Sequence, residues 1–421
     1  MKRTWLREPG YAWLGLGSLW LVGFIGALMR FSMAFFQVQI SEDLGVSRGF
    51  ISAAWSTQLF IAALCAPLGG WLADRYGPKK VMLLGAILGT VGTGIVTFGG
   101  HQDLFFFVGY GVISGFAGIG SSATYLLLFA WFRHHRAKAT GLLASASSLG
   151  LAITTPVFVS ASSLTWRDAF LASFVLGILV TIPVILFGIK EAGSAGGKSA
   201  SSSSTAVQPS LAAASTGTTV KLLPVFIVVA FALFACGFNM GTVEMNLVAI
   251  HQAAKVSPER IALSMSVLGA MEIVGSLVMG YWLDRSDKLA LMSLLYGVRI
   301  AGFILLFMHL SWSPVSFAVL FGLTYLSAIP GGLLVIKEML QGKGQQTGWL
   351  LLFHQGGGIL GSLVGGLAFD RFGDYQALIG LDILISGLAA LGYLALFLSR
   401  KRDFHRKAKN RYAVDSHAAQ G

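Results

Sequence analysis

Six ionisable side chains stand inside long apolar runs of this sequence, and their types give them the means to do chemistry. They are Arg30, Glu244, Glu272, Arg299, His354 and Asp382. An unpaired charge in hydrocarbon costs about 3 kcal/mol on insertion scales, so each needs a partner or a water-filled cavity. A guanidinium binds a carboxylate through two parallel hydrogen bonds, whereas a buried carboxylate or imidazole can carry a proton. The set points to anion binding and proton transfer.

The composition of the chain places these residues in a membrane. Of the 421 residues, 55% are hydrophobic and 11% are charged, whereas soluble domains carry about 25% charge. Runs long enough to span a bilayer are predicted at 12–38, 50–73, 81–100, 103–132, 139–163, 168–190, 223–250, 259–283, 289–310, 313–336, 346–369 and 376–399. The first run is too long for a signal peptide and is counted as a helix. We therefore predict an all-α integral membrane protein.

The distribution of basic residues predicts the orientation of these helices. Of the 30 Lys and Arg residues, only five fall in segments on the side opposite the termini: Arg48, Arg167, Lys255, Arg260 and Arg371. Basic residues accumulate on the cytoplasmic side of membrane proteins, so both termini are predicted to be cytoplasmic. The net charge of +12 does not indicate nucleic acid, because the basic residues form short clusters between apolar runs.

The chain contains an internal repeat. Gly70, Asp74 and Arg75 match Gly280, Asp284 and Arg285 at one offset of 210 residues, and WRDAFL (166–171) parallels DYQALI (374–379). We therefore predict two pseudo-symmetric six-helix bundles, at 1–190 and 222–400. The Ser-, Ala- and Gly-rich segment between them, 191–221, is predicted to be a flexible cytoplasmic linker, and 401–421 a basic cytoplasmic tail.

The loop GGWLADRYGPKK (69–80) resembles the signature loop of the major facilitator superfamily, and GYWLDRSDK (280–288) is a weaker copy of it. The resemblance implies the major facilitator fold, alternating access, and a gating role for this loop. Asp74 can meet a helix N-terminus or the basic groups beside it; plain anchoring by the basic residues is the alternative. The predicted gating residues are Asp74, Arg75, Lys79, Asp284 and Arg285.

A finer resemblance concerns the transported solute. The segment 31–56, FSMAFFQVQISEDLGVSRGFISAAWS, looks like the first hairpin of monocarboxylate and oxalate/formate transporters. The eighth, ninth and eleventh helices look like those of bacterial monocarboxylate-porter-like members. Arg30 and Glu272 depart from this subgroup, where a small residue and an amide are more usual.

Depth along the helices suggests a partner for Arg299. Glu272 is 12 residues from Asp284, and Arg299 is 11 from Lys288. At 1.5 Å per residue, both lie roughly 17 Å from the cytoplasmic surface. We therefore predict an Arg299–Glu272 pair at the midplane, either as a structural salt bridge or with Glu272 changing protonation when an anion binds Arg299.

Arg30 and Glu244 lie at comparable depth in the repeat-related first and seventh helices. We predict that Arg30 binds a substrate carboxylate; a permanent Arg30–Glu244 pair is the alternative. Glu244 joins Glu272 as a predicted proton-coupling residue. Asn239 and Asn246 can bond to substrate or to neighbouring helices.

The remaining candidates are weaker. His354 precedes a glycine triplet and is predicted to contact substrate or relay protons, with packing as the alternative. Tyr125 is a candidate cavity residue that could equally pack. Asp382 is expected to be solvated near the outer end of the last helix, and Cys65 and Cys236 are expected to be buried without a disulfide or metal.

These features predict a secondary active transporter, monomeric and proton-coupled, that moves a small, monocarboxylate-like organic anion across the bacterial plasma membrane. The alternative is proton-driven efflux of an amphipathic drug or metabolite, with Glu244 and Glu272 binding cation or proton. An enzyme or sensor is not supported, because the sequence has no metal-ligand cluster, Walker loop or nucleophile elbow. We expect no cofactor and no metal.

Overall fold

The computed structural model describes residues 8–100, 102–132, 135–191, 222–340 and 344–418. Within them, twelve helices are long and apolar enough to cross a membrane. In chain order, α1 to α12 are Gly10–Leu44, Arg48–Tyr76, Pro78–Phe98, Asp103–Trp131, Lys138–Ser160, Trp166–Gly188, Leu223–Ala253, Pro258–Arg285, Lys288–Met308, Ser313–Met339, Gly348–Phe372 and Gln376–Arg402. The predicted number of spans is confirmed, and six helices lie on each side of the linker region.

Local sequence signals explain several helix ends. Gly45 follows α1 with a left-handed φ of 65°, and the Ser47 side chain accepts a hydrogen bond from the Phe50 amide at the start of α2. The Asp287 carboxylate caps α9 in the same way, accepting from the amides of Leu289 and Ala290. These caps satisfy amide and carbonyl groups that have no partner within the helix.

Two segments differ from the predicted organisation. The predicted linker lies outside the described residues except for Glu191. The last helix does not end near residue 400, because its backbone continues without a break to Ala418.

Several spans contain irregular turns that the apolar pattern could not predict. In α7, the residues Thr242–Asn246 form a π-helical turn, and in α4 another covers Phe107–Ile113. The path of α10 breaks between the helical segments Ser313–Tyr325 and Ala328–Leu340. Turns of this kind are frequent at functional sites, because they redirect side chains without ending the helix.

The two halves contact each other through three helix pairs, α1 with α7, α2 with α11 and α5 with α8. At the start of α2, the amides of Arg48 and Gly49 donate to the Asp370 carboxylate of α11, at 2.9 and 2.7 Å. Between α5 and α8, Gly269 lies so close to Ser148 and Ala152 that an added Cβ would clash.

The hydrogen bonds that join the halves among the described residues lie at about the midpoint of the helices or between it and the end remote from the chain termini. The contributing donors are Arg30, Gln37, Arg48, Gly49, Ser56, Ser148 and Ser266. These hydrogen bonds therefore join the halves at one end of the molecule.

Candidate functional site

An ion pair joins the two halves at mid-depth. The Arg30 guanidinium of α1 contacts the Glu244 carboxylate of α7. The two side chains are 34% and 13% exposed, so the pair is only partly buried. The Arg30 guanidinium also lies over the Trp55 ring, 5.5 Å from its centroid. Arg30 can therefore present a cation to an anion that enters between the halves.

Two tyrosines complete the surroundings of this pair. The Tyr325 hydroxyl of α10 donates to Glu244. Tyr110 of α4 packs beside Trp55, with ring centroids 6.4 Å apart, and is 1% exposed. Its hydroxyl has no hydrogen-bond partner among the described residues. A buried hydroxyl without a partner is unusual in a protein interior, and here it offers a free donor next to the guanidinium.

Glu272 makes a different contact from the one predicted. Its carboxylate accepts a 2.6 Å hydrogen bond from the Ser148 hydroxyl of α5, across the boundary between the halves. The side chain is buried, and its second oxygen has no partner among the described residues. Glu272 lies in the same region as Arg30 and Glu244, without a hydrogen bond to either. One cation therefore lies among two carboxylates at the centre of the molecule.

The predicted Arg299–Glu272 pair is wrong. Arg299 is fully buried inside the second half, where its guanidinium donates to the Thr324 hydroxyl and carbonyl at 3.3 and 3.0 Å and to the Tyr325 carbonyl at 3.3 Å. It also donates to the Asn239 side chain at 3.5 Å. The depth estimate ignored the rotation of each helix about its axis: α9 turns Arg299 toward α10, whereas α8 turns Glu272 toward α5.

Asp382 is not solvated, contrary to expectation. It is fully buried, and its carboxylate accepts from the Asn239 amide at 2.7 Å. The Asn239 oxygen accepts in turn from the Ser386 hydroxyl at 3.0 Å. Asn239 therefore connects two ionisable groups, Arg299 and Asp382, instead of facing the gap between the halves.

The other predicted site residues lie apart from the central pair. The His354 imidazole is partly buried, 3.4 Å from the Met240 sulfur. Tyr125 is 46% exposed and its ring is 6.3 Å from that of Phe129. Asn246 is buried and donates to the Ser362 carbonyl at 3.4 Å.

The two cysteines and the acidic side chains form no inorganic site within the described part of the chain. Cys65 and Cys236 are both buried free thiols. Among the described residues, no group of three or more His, Cys, Asp or Glu side chains could hold a metal ion.

The predicted gate residues lie at the end of the molecule that carries the termini. Lys79 donates to the Leu186 carbonyl at 2.7 Å, while Arg75 lies over the rings of Trp71 and Tyr76. Arg285 stacks on Tyr281 at 3.7 Å. Asp74 and Asp284 are exposed, and neither makes a hydrogen bond or ion pair with a described residue. The signature loop is thus not engaged with the described residues of the other half in this conformation.

Several central residues carried little signal in the sequence. Trp55, Tyr110, Ser148 and Tyr325 are ordinary residues of apolar helices, and only their contacts with the charged groups distinguish them. The one available signal was the unsatisfied charge on Arg30 and Glu272, which required polar neighbours on other helices.

Twelve membrane-spanning helices around a buried, partly accessible ion pair define a membrane transport protein. The family model described as "Major Facilitator Superfamily" matches residues 19–252 and 229–415. The chain therefore belongs to the major facilitator superfamily, and it is a multi-pass membrane transporter rather than an enzyme.

Curated relatives are distant. The chain is 26% identical over 386 residues to the "Uncharacterized MFS-type transporter YcxA" of Bacillus subtilis (strain 168), covering 89% of this chain and 92% of that one. It is 24% identical to "Monocarboxylate transporter 12-B" of Danio rerio, over 93% and 87% of the two chains. The "Probable sulfoacetate transporter SauU" of Cupriavidus necator is 29% identical, but over only 37% of this chain and 36% of that one.

Solved structures share the fold. The nucleoside transporter NupG superposes with a TM-score of 0.68 at 15% identity, over 91% of this chain and 98% of that one. A bacterial homologue of the human lysosomal transporter Spinster, in an inward-facing and occupied conformation, gives 0.65 at 15% identity over 92% and 97%. These likenesses confirm the predicted major facilitator fold.

Proposed function

We propose that this transporter moves a small monocarboxylate-like organic anion across the bacterial plasma membrane, coupled to protons, by alternating access. The observation that carries the proposal is the Arg30–Glu244 pair, which lies between the halves and is partly exposed. A permanently buried ion pair repays its desolvation cost only when its geometry is excellent and its remaining hydrogen-bonding groups are satisfied. A guanidinium that solute can reach is instead suited to exchanging one carboxylate for another.

The exchange has a direct chemical consequence. When a substrate carboxylate takes the Arg30 guanidinium, Glu244 loses its cation and keeps only the Tyr325 hydroxyl as a partner. An ionised carboxylate in that apolar setting is costly, so Glu244 takes a proton. Anion binding and proton binding are then linked, and one anion crosses together with one proton in each cycle.

Glu272 provides a second coupling point. Its hydrogen bond with Ser148 crosses the boundary between the halves and lies in the part of the molecule where they are joined. A neutral glutamic acid fits this buried position, because no cation contacts the carboxyl among the described residues. Ionisation of Glu272 would favour its hydration and hence separation of the halves at that contact.

The remaining predicted residues take supporting roles in the proposal. Arg299 and Asn239 connect α7, α9 and α10 through their hydrogen bonds, whereas His354 stays a proposed proton relay and Tyr125 a proposed cavity residue. The basic loops predict cytoplasmic termini; with that orientation, the described conformation is closed to the outside. The two six-helix halves then rock about the central site, with Asp74, Arg75, Lys79, Asp284 and Arg285 closing the cytoplasmic end in the opposite state. A single chain suffices for this cycle.

The names of relatives support an anionic substrate, since a monocarboxylate transporter and a probable sulfoacetate transporter are among them. Proton-driven efflux of an amphipathic compound is the competing function, because two carboxylates at the centre could also attract a cation. In that case Arg30 would serve to keep Glu244 ionised.

Uptake by proteoliposomes distinguishes the two functions. Purified protein is reconstituted and supplied with labelled formate, lactate or pyruvate, with and without an inward proton gradient. The proposal expects gradient-stimulated accumulation of at least one anion, and competition by unlabelled carboxylates. Failure of all monocarboxylates, together with gradient-driven movement of a lipophilic cation, would favour efflux.

A further inference from the structure

Asp382 is a buried acid to which the transport cycle so far assigns no role. It lies in α12 and is fully buried. One carboxyl oxygen accepts from the Asn239 amide at 2.7 Å, and the other has no hydrogen-bond partner among the described residues. The buried Thr242 hydroxyl of α7, which lies near the carboxyl group, likewise has no hydrogen-bond partner among the described residues. Two buried polar atoms in this region, the free Asp382 oxygen and the Thr242 hydroxyl, are therefore unsatisfied.

The charges around Asp382 do not compensate an ionised carboxylate. α12 packs against α7, α9 and α11. Arg299 of α9 is connected to Asp382 through the Asn239 side chain, which bonds to both, and not by direct contact. Of the titratable groups on α7 and α11, Cys236 and His354 both contact the Met240 sulfur, and Cys236 also lies close to Arg299.

These contacts favour a neutral acid. A carboxylate buried without a contacting cation and with one oxygen unsatisfied carries a large desolvation cost, which protonation removes. The added hydrogen would sit on the free oxygen and complete a bond to the Thr242 hydroxyl. From this geometry we propose that Asp382 is a proton-binding site, loaded in the described conformation, within the second half of the transporter.

A continuous line of contacts connects this site with the central ion pair. Arg299 donates to the Asn239 side chain and to the Tyr325 carbonyl, and the Tyr325 hydroxyl donates to Glu244. The π-helical turn Thr242–Asn246 contains both Thr242, which lies near Asp382, and Glu244, which belongs to the central ion pair. If Asp382 loses its proton, the nearest cation is Arg299, and its movement toward the carboxylate breaks the bond that holds Tyr325. This coupling, unlike the proton site itself, rests on the proposed function.

Infrared spectroscopy of the full-length protein in lipid tests the site without any substrate. Asp382 is the only buried aspartate among the described residues. Labelling the side-chain carboxyl carbon of aspartate with 13C in the wild-type protein therefore identifies its band. We expect a protonated-carboxyl band at neutral pH that shifts with the label. Asp382→Asn removes that band, and Asp103→Asn, which changes an exposed acid, leaves it in place. Absence of a label-sensitive band in the wild type would overturn the proposal.

Transport measurements then separate this role from the proposed function. Asn at position 382 can still accept from Asn239, so the variant should fold, which thermal unfolding in detergent checks. With coupling, Asp382→Asn retains anion counterflow but loses at least tenfold in gradient-driven accumulation. If the wild type accumulates the anion in response to the gradient and Asp382→Asn does so equally well, the coupling is contradicted. Wild-type transport that ignores the gradient contradicts the proposed function, while the infrared result still decides the proton site.

Discussion

Arg30 and Glu244 occupy repeat-related helices, α1 and α7, and form an ion pair across the boundary between the halves. Loss of either partner therefore leaves an unpaired charge in the other half. A structure with this pair at its centre can be changed by any solute that offers Arg30 another carboxylate. Variants at the contacts that surround the pair should therefore alter transport in distinct ways.

Replacement of Glu272 by Gln should separate exchange from accumulation. Glutamine keeps an acceptor for the Ser148 hydroxyl but cannot release a proton, so counterflow should persist within about twofold while gradient-driven uptake falls at least tenfold. Parallel assays of both modes in proteoliposomes measure this. Glu259→Gln, an exposed acid of the same helix, is the matched control. Equal loss of both modes would count against a proton role for Glu272.

Arg299 should matter more for stability than Arg30. Arg299→Ala leaves Thr324, Tyr325 and Asn239 without their buried donor, which should cost about 3–5 kcal/mol by analogy with broken buried pairs. Arg30→Ala leaves Glu244 with the Tyr325 hydroxyl and some solvent, so its cost should be smaller. Thermal unfolding in detergent compares the two variants. A larger loss of stability in Arg30→Ala would reverse our assignment of the two arginines.

The Asp370 contact should stabilise the conformation described here. Its carboxylate caps the amides of Arg48 and Gly49 from the other half, and such caps contribute about 1 kcal/mol, or about fivefold in an equilibrium. Asp370→Ala should shift populations toward separation of the halves at this end. Distances between spin labels on cysteines introduced at Asp103 and Glu259 measure the shift, with Asp374→Ala as the control. An unchanged distance distribution would show that Asp370 does not stabilise the described conformation.

The signature loop should act at the opposite end. The pattern Gly-Gly-x-x-x-Asp-Arg-aromatic-Gly occurs at 69–77, ending α2, and again at 365–373, ending α11. Because Asp370 caps the start of α2 in the described state, we expect Asp74 to cap the start of α11 in the alternate state. Asp74→Asn should slow switching several-fold with unchanged substrate affinity, measured by pre-steady-state uptake and equilibrium binding. A changed affinity would contradict a pure gating role.

The sequence predicted what depends on the composition of each helix and missed what depends on its rotation. Twelve apolar runs and the repeated loop were sufficient for the fold, because membrane spans need a fixed apolar length. Their positions along the helices predicted that Arg299 and Glu272 lie at the same depth, but the two side chains face different helices, α10 and α5. Asp382 was misplaced for the same reason: its depth suggested water, whereas its side of the helix faces Asn239.

Direct binding of a carboxylate by Arg30 is the central claim, and its removal is the sharpest test. Arg30→Gln removes the cation while keeping hydrogen-bond donors, and Arg260→Gln removes an exposed arginine as the control. Counterflow of labelled lactate, formate or pyruvate, whichever the wild type carries, needs only binding and switching. We predict at least a hundredfold loss for Arg30→Gln at equal protein levels and none for Arg260→Gln. Counterflow by Arg30→Gln at the wild-type rate would contradict the account.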